Sequence, residues 1–398
     1  MRVSTLNSFL RSVNLIQERQ SSLNETQEQI ATGRRILRPS QDPLGASSAM
    51  LFRESLARLD QFDRNANAAR NRLEYEEGAL AAVNRTLNRW RELALRANNA
   101  TEPSESRAIV ANEMKQLLDD LVQIANTKDG NGRYLFAGNR DGNAPVTKTP
   151  AGFVYNGDQG QRLVQIGDSR QVFDGDSGAD VFFNLRNGNG EFRVTPAASN
   201  TGTAYAGATD IVDSSVYDRE SYTIRFTSES DYQIVDSVND VIATGTFQSG
   251  ESIEFQGLAV ELEGEPLGGD EFDVDPSQYQ SVFQSVQNVV DALDSSATTP
   301  ETRAQLTSAI NTGINEIDTA LSRISEVRTE VGIRLGSIDA QLETNSASSL
   351  ITQQAIADLE DLDYAEALSR FAQETAVLEA TQASFVRARE LSLFRFLR

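Results

Sequence analysis

The sequence predicts a mainly α-helical chain with an inserted β-rich domain. N- and C-terminal helical segments are expected to pair into a discontinuous coiled-coil rod, with the β domain at its far end. Three observations carry this expectation. Apolar residues recur at alternating spacings of three and four over long stretches at both ends of the chain. The middle instead turns Gly- and Asp-rich, with short alternating runs. Charge follows the same division, with 24 acids against 7 bases in residues 141–280 but 17 against 20 in residues 1–140. A period near 3.5 marks helices that pack along a seam, and a period of two marks strands with one buried face.

The first segment places Leu6, Phe9, Val13, Ile16, Gln20, Leu23, Gln27 and Ile30 at heptad spacing. Gly33 and the run Arg38-Pro39-Ser40-Gln41-Asp42-Pro43 interrupt it, and Asp42 as N-cap with Pro43 as first helical residue restarts a helix. The second helix continues through Phe52, Leu56, Leu59, Phe62, Ala66, Ala69, Leu73, Glu76, Leu80, Val83, Leu87 and Trp90. That length far exceeds the three turns of an average globular helix and implies a rod. Thr101-Glu102-Pro103-Ser104-Glu105 opens a third, with a seam at Val110, Met114, Leu117, Leu121 and Ile124, and Asp129-Gly130-Asn131-Gly132 ends it.

Runs such as Tyr222-Thr223-Ile224-Arg225-Phe226 and Tyr232-Gln233-Ile234-Val235 read as short strands in a β-rich insert. Helix returns from Val282, with Val286, Val289 and Leu293 on one face. Thr299-Pro300-Glu301 then opens a second long helix carrying Ile310, Ile314, Ile317, Leu321, Ile324, Arg328, Val331, Leu335, Ile338 and Leu342. A last helix carries Leu368, Phe371, Thr375, Leu378, Gln382 and Phe385 and closes with Leu391-Ser392-Leu393-Phe394. Three domains are expected: a terminal coiled coil from residues 1–45 and 350–398, a helical rod from 46–140 and 276–349, and an acidic outer β domain at 141–275.

The chain of 398 residues contains no His and no Cys, which excludes His and Cys metal sites, Ser-His-Asp and Cys-His nucleophile systems and disulfides. The carboxylates at Glu76-Glu77, Asp119-Asp120 and Asp358-Glu360-Asp361-Asp363 read as solvated or structural. Asp174, Asp176, Gly178 and Asp180 are spaced loosely like a calcium loop, but lack its later ligands and read as turn chemistry. Catalytic, metal and cofactor residues are therefore not expected. A net charge of -22 argues against nucleic acid or anionic membrane as partner. The small basic cluster Arg34, Arg35 and Arg38 is expected to meet an acidic neighbour. No leader for general secretion and no membrane-spanning segment is expected.

Seams interrupted by Gln and Thr make a poor two-helix core, so the terminal segments are expected to complete their packing on neighbouring subunits. Leu6, Phe9, Val13, Ile16, Leu23, Ile30, Leu368, Phe371, Leu378, Phe385, Leu391 and Phe394 are the candidate assembly residues.

Arg34-Arg35-Ile36-Leu37-Arg38-Pro39-Ser40-Gln41-Asp42-Pro43, Asn131-Gly132-Arg133-Tyr134-Leu135-Phe136-Ala137-Gly138 and Leu391-Ser392-Leu393-Phe394 together resemble the flagellin superfamily, in its junction-protein branch. The resemblance covers the two helical ends and leaves the middle unmatched. Gln41 departs from it, since the family usually has a second acid there. The resemblance implies a structural protein at the hook-filament junction of a bacterial flagellum, outside the cell. It further implies self-assembly into a helical ring, contacts with flagellin and another junction protein, and export by the flagellar type III apparatus. A dedicated export chaperone would hold the C-terminal helix through Leu378, Phe385, Leu391 and Phe394. The rival readings are a divergent filament flagellin and an adhesin on a coiled-coil stalk.

Overall fold

Helix boundaries fall where side chains satisfy the first free backbone N–H groups. The computed structural model describes residues 2–99, 104–295 and 297–394, with the side chains of residues 2–6, 8, 104 and 388–394 outside the description. Helix α1 (Arg2–Thr32) ends at Gly33, whose φ of 72° is the left-handed conformation that closes many helices. Asp42 accepts from Gly45 N at 2.9 Å and opens α2 (Pro43–Ala97), as its position before Pro43 predicts. Ser281 caps α4 (Val282–Asp294), Thr299 precedes α5 (Pro300–Glu360), and Asp363 accepts from Ala365 N at 2.9 Å to open α6 (Tyr364–Phe394). Helix α3 spans Ser104–Ala125.

The chain divides into two compact units, residues 65–340 and residues 1–64 with 341–398. In the first, the expected α2 seam is the core: Ala66, Ala69, Leu73, Leu80, Val83, Leu87 and Trp90 are all buried. The α5 seam is likewise buried at Ile310, Ile314, Ile317, Ile324, Val331 and Ile338. The α3 reading needs a correction. Leu118 and Ala125 are buried, whereas Leu117 and Ile124 are half-buried, because the true period of 3.6 drifts off a strict three-four alternation. At Gly313, a Cβ would stand 2.1 Å from Val289 Cγ2 and 3.3 Å from the Trp90 ring, so only glycine lets α5 pass α4 this closely.

The middle of the chain is built in two styles. Hairpins β1–β2 (Val146–Thr149, Gly152–Tyr155) and β3–β4 (Leu163–Gln165, Gln171–Phe173) are followed by a π-turn at Ala179–Phe183. Phe153, Phe182 and Phe183 all pack on Phe283 of α4, with ring centroids 5.3–5.7 Å apart. β5 (Leu185–Arg186) then leads to β6 (Phe192–Pro196), β7 (Tyr205–Ile211), β8 (Tyr222–Phe226), β9 (Asp231–Asp236) and β10 (Val241–Thr246). β11 (Ser252–Phe255), β12 (Leu258–Glu263), β13 (Glu271–Pro276) and β14 (Tyr279–Gln280) complete the set. A five-stranded antiparallel sheet in the order β10-β9-β8-β13-β6 and a three-stranded sheet β11-β12-β7 share one core. Phe192, Ile224, Phe226, Val260, Leu262, Phe272 and Val274 line it, from strands whose residues alternate between buried and half-buried.

Three side chains of α5 fasten this sandwich. Ala206 N donates to Ser308 Oγ at 3.1 Å and Asn311 Nδ2 donates to the Ala206 carbonyl at 2.9 Å, while Glu316 accepts from Gly188 N and Gln280 Nε2. β5 and β14 pair antiparallel, Arg186 opposite Tyr279, so the chain enters and leaves the sandwich side by side. No described helix is long and apolar enough to cross a membrane.

Candidate assembly surface

The terminal unit pairs α1 with α6. The rings of Phe9 and Phe385 meet at 5.3 Å. Further along, Glu374 accepts from Ser22 Oγ and from Thr26 Oγ1, both at 2.7 Å, placing one carboxylate across two turns of the facing helix. At the closed end, Arg35 N donates to the Glu360 carbonyl at 2.7 Å and Leu362 N to that of Gly33 at 3.0 Å. The Arg35 guanidinium holds the Leu359 carbonyl at 2.7 Å, neutralising part of the negative C-terminal end of α5. Gln41, the departure from the resemblance, accepts from Leu37 N at 2.8 Å and Arg38 N at 2.9 Å and so caps the turn before α2.

Two members of the basic cluster find acids within the chain: Arg35 reaches Asp42 at 3.4 Å and Arg38 approaches Glu28 at 3.9 Å. Arg34 is held by a backbone bridge with Asp361, which does not involve its charge.

Of the candidate assembly residues with described side chains, only Leu378 is buried, at 8% exposure. Val13, Ile16, Leu23, Ile30, Phe371 and Phe385 are half-buried, and Phe9 and Leu368 are exposed. The side chains of Leu6, Leu391 and Phe394 lie outside the described residues. Sequence reasoning passed over the polar interior of the pair, where Thr26 and Gln29 are more deeply covered than most of the seam. It also passed over exposed apolar residues beyond the seam: Leu10, Leu15, Val377 and Val386 on the pair, Leu44, Met50 and Leu51 on α2, and Leu350 and Ile351 on α5. A search for apolar positions off the heptad register finds these.

In the other unit the carboxylates of interest are bound by arginines. Asp176 takes Arg334 at 2.8 and 2.9 Å, Asp174 pairs with Arg162, and Asp129 takes Arg72 at 2.9 Å. The calcium-like spacing is thus an arginine-binding segment rather than turn chemistry alone. Glu76, at 1% exposure, accepts from Asp176 N at 3.0 Å. Burial, then the charge of Asp176, push its pKa well above the usual carboxylate range, and Arg334 and Arg72 oppose this only in part. At Asp129, burial works upward, but the Arg133 and Asn131 N–H groups and Arg72 outweigh it and lower the pKa. This arrangement locks a loop to α2 and α5; each guanidinium already has its carboxylate.

Comparison with known proteins fits this division into ends and middle. Residues 3–141 match the bacterial flagellin N-terminal helical region and residues 314–397 the C-terminal helical region. A solved structure of Xanthomonas campestris FlgL is 33% identical, covers 77% of this chain and 99% of that one, and superimposes with a TM-score of 0.73. The chain belongs to the flagellar hook-associated protein 3 (FlgL) family. Another family structure, the flagellar junction protein FlgL of Legionella pneumophila, is 28% identical with a TM-score of 0.72 and covers 79% of this chain and all of that one. The hook-associated protein 3 of Salmonella typhimurium is 31% identical over 182 residues, 46% of this chain and 57% of that protein. Helical ends flanking a β-rich middle, as the sequence predicts, are the arrangement of FlgL-family structures.

Proposed function

We propose that this chain is a non-enzymatic structural subunit of the bacterial flagellum that forms a helical ring between hook and filament and adapts one to the other. The observation that carries the reading is the terminal unit: among the candidates with described side chains one is buried, and the unit bears many exposed Leu, Ile, Met and Val side chains on the α1–α6 pair and on the adjoining ends of α2 and α5. Apolar surface on this scale marks a contact with another protein. Leu6, Phe9, Val13, Ile16, Leu23, Ile30, Leu368, Phe371, Leu378, Phe385, Leu391 and Phe394 are proposed to pack between copies in the ring. The functional division proposed is into residues 1–45 with 350–398 for assembly, 46–140 with 276–349 as the helical rod, and 141–275 as the outer domain.

The partners proposed are flagellin on one side and another junction protein on the other. Delivery is proposed through the flagellar type III apparatus, with an export chaperone engaging Leu378, Phe385, Leu391 and Phe394. Deletion of the gene tests the reading, with the cells viewed by electron microscopy and the medium probed for flagellin. Hooks without filaments, and unpolymerised flagellin in the medium, are expected. Filaments of normal length and number would return the stalked-adhesin reading to the front, and loss of the bulk filament protein itself would indicate a flagellin.

A further inference from the structure

Asn followed by Gly is the most reactive pairing for side-chain cyclisation, because glycine leaves the following main-chain nitrogen unshielded. The sequence has four such pairs: Asn131-Gly132, Asn156-Gly157, Asn187-Gly188 and Asn189-Gly190. The fold treats them differently. Asn187 is buried and its Oδ1 accepts from Gln278 N at 2.9 Å. Asn189 Oδ1 accepts from Glu191 N and Phe192 N while its Nδ2 donates to Thr209. Asn156 Nδ2 donates to Thr147 Oγ1 at 3.0 Å, and Asn156 N is held by the Pro145 carbonyl. Each of these amides is tied in place.

Asn131 is the exception. It is exposed, as are Gly132 and Arg133, and among the described residues its side-chain amide has no hydrogen-bond partner; only its main-chain N–H is engaged, by Asp129 Oδ1 at 2.8 Å. Gly132 has a φ of 79°, with nothing within 4 Å of where a Cβ would stand. The turn borders an open hollow lined by Asn71, Arg72, Tyr75, Asp129 and Gly130, which gives water and base access to it.

We infer that Asn131 is a site of spontaneous deamidation, converting to aspartate and isoaspartate in the folded protein ahead of the other three Asn-Gly pairs. Gly132 N leaves the Asp129 carbonyl, which it meets at 3.0 Å, and attacks Asn131 Cγ. The N–Cγ bond forms, the Gly132 N–H proton passes to solvent base, the Cγ–Nδ2 bond breaks, and Nδ2 departs as ammonia after taking up a proton. Water then opens the cyclic imide. Attack at Cγ leaves an aspartate in the place of Asn131; attack at the main-chain carbonyl carbon leaves an isoaspartate, with one extra carbon in the backbone. Either product sets a new carboxylate two residues from Asp129, and the iso form lengthens the segment that presents Asp129 to Arg72.

The test is incubation of the full chain at mildly alkaline pH and body temperature, followed by trypsin digestion and mass spectrometry. Cleavage after Lys128 and Arg133 isolates Asp129-Gly130-Asn131-Gly132-Arg133, in which the aspartate and isoaspartate forms separate by retention time. A parallel sample in denaturant reports the intrinsic reactivity of all four pairs. The expected result is conversion at Asn131 alone in the folded chain and at all four pairs in the unfolded one, with Asn131→Gln leaving the folded chain unmodified. Asn131 intact in the folded chain but converted in denaturant overturns the inference, as does conversion of Asn156, Asn187 or Asn189 at an equal rate.

Discussion

Arg334 grips Asp176 with two parallel hydrogen bonds, Nη1 to Oδ2 at 2.8 Å and Nη2 to Oδ1 at 2.9 Å, and both side chains are largely withdrawn from solvent, at 14% and 5% exposure. This fork fixes the segment between β4 and the π-turn against α5, and Asp176 N in turn reaches Glu76 on α2. The same guanidinium donates to Glu330 at 3.1 Å, and its charge also acts on the buried Glu76.

Replacing Arg334 by Leu strands Asp176 without its counter-charge. Removing one partner of a buried pair costs about 3–5 kcal/mol. Urea unfolding of Arg334→Leu should show a loss of this size, while Arg334→Leu with Asp176→Leu should recover much of it. Equal losses in the single and double variants would contradict the pairing argument.

Glu76 sets a pH dependence of definite sign. Its folded pKa lies above the ordinary value of 4.5 because it is buried and faces Asp176, with Arg72 on its own helix and Arg334 on α5 opposing. The folded state thus binds the proton more tightly than the unfolded one. The contribution is fully present below the unfolded pKa and is lost as pH rises through the folded pKa. Thermal melts from about pH 4.5 upward should show this loss in the native protein and a flatter profile in Glu76→Gln, which stays neutral throughout. An identical slope in both would remove Glu76 as its source.

Gly33→Ala places a Cβ 2.9 Å from the Tyr364 hydroxyl and holds Ala at a φ of 72°. The backbone component alone is about 1–2 kcal/mol. Gly33→Ala with Tyr364→Ala should relieve the close approach yet keep that backbone cost, so hydrogen exchange near residues 29–35 should stay faster than in the native chain. Full recovery in the double variant would show that the clash was everything.

Phe9→Asp and Leu378→Asp separate folding from assembly. Leu378 is buried, and a carboxylate there should cost about 3 kcal/mol or more locally. Phe9 is 47% exposed and its ring contact with Phe385 is worth only about 0.5–1.5 kcal/mol. Both changes should block assembly of purified subunits while the β signal in circular dichroism persists. Normal assembly of Phe9→Asp would remove that face from the proposed interface.

The helices were legible because their signals are local. Asp42-Pro43, Gly33 and the spacing from Ala66 to Trp90 each act within a turn or two, and the structure places caps and core there. The sandwich order was not, since β8 pairs with β13 across about fifty residues, Thr223 opposite Asp273, and no short window records that choice. The candidate surface divided in the same way. Heptad spacing marks Phe9, whose ring meets Phe385, and Leu378, which is buried, whereas Thr26 and Glu374 look like solvent-facing residues until the facing helix supplies a partner. Arg334 and Asp176, 158 positions apart, carry no joint mark in the sequence at all.

The two-residue pairing of β5 with β14 makes the sandwich an exchangeable cassette. Strand partners in an antiparallel pair lie about 5 Å apart, a gap that a two-residue turn closes. Residues 187–278 can therefore be cut out or swapped for an unrelated fold without moving the strand ends, with Ser308, Asn311 and Glu316 of α5 giving up their hydrogen bonds to it. This part of the molecule can be redesigned while the helices keep their spacing, and a foreign domain could be spliced in at the same seam for display.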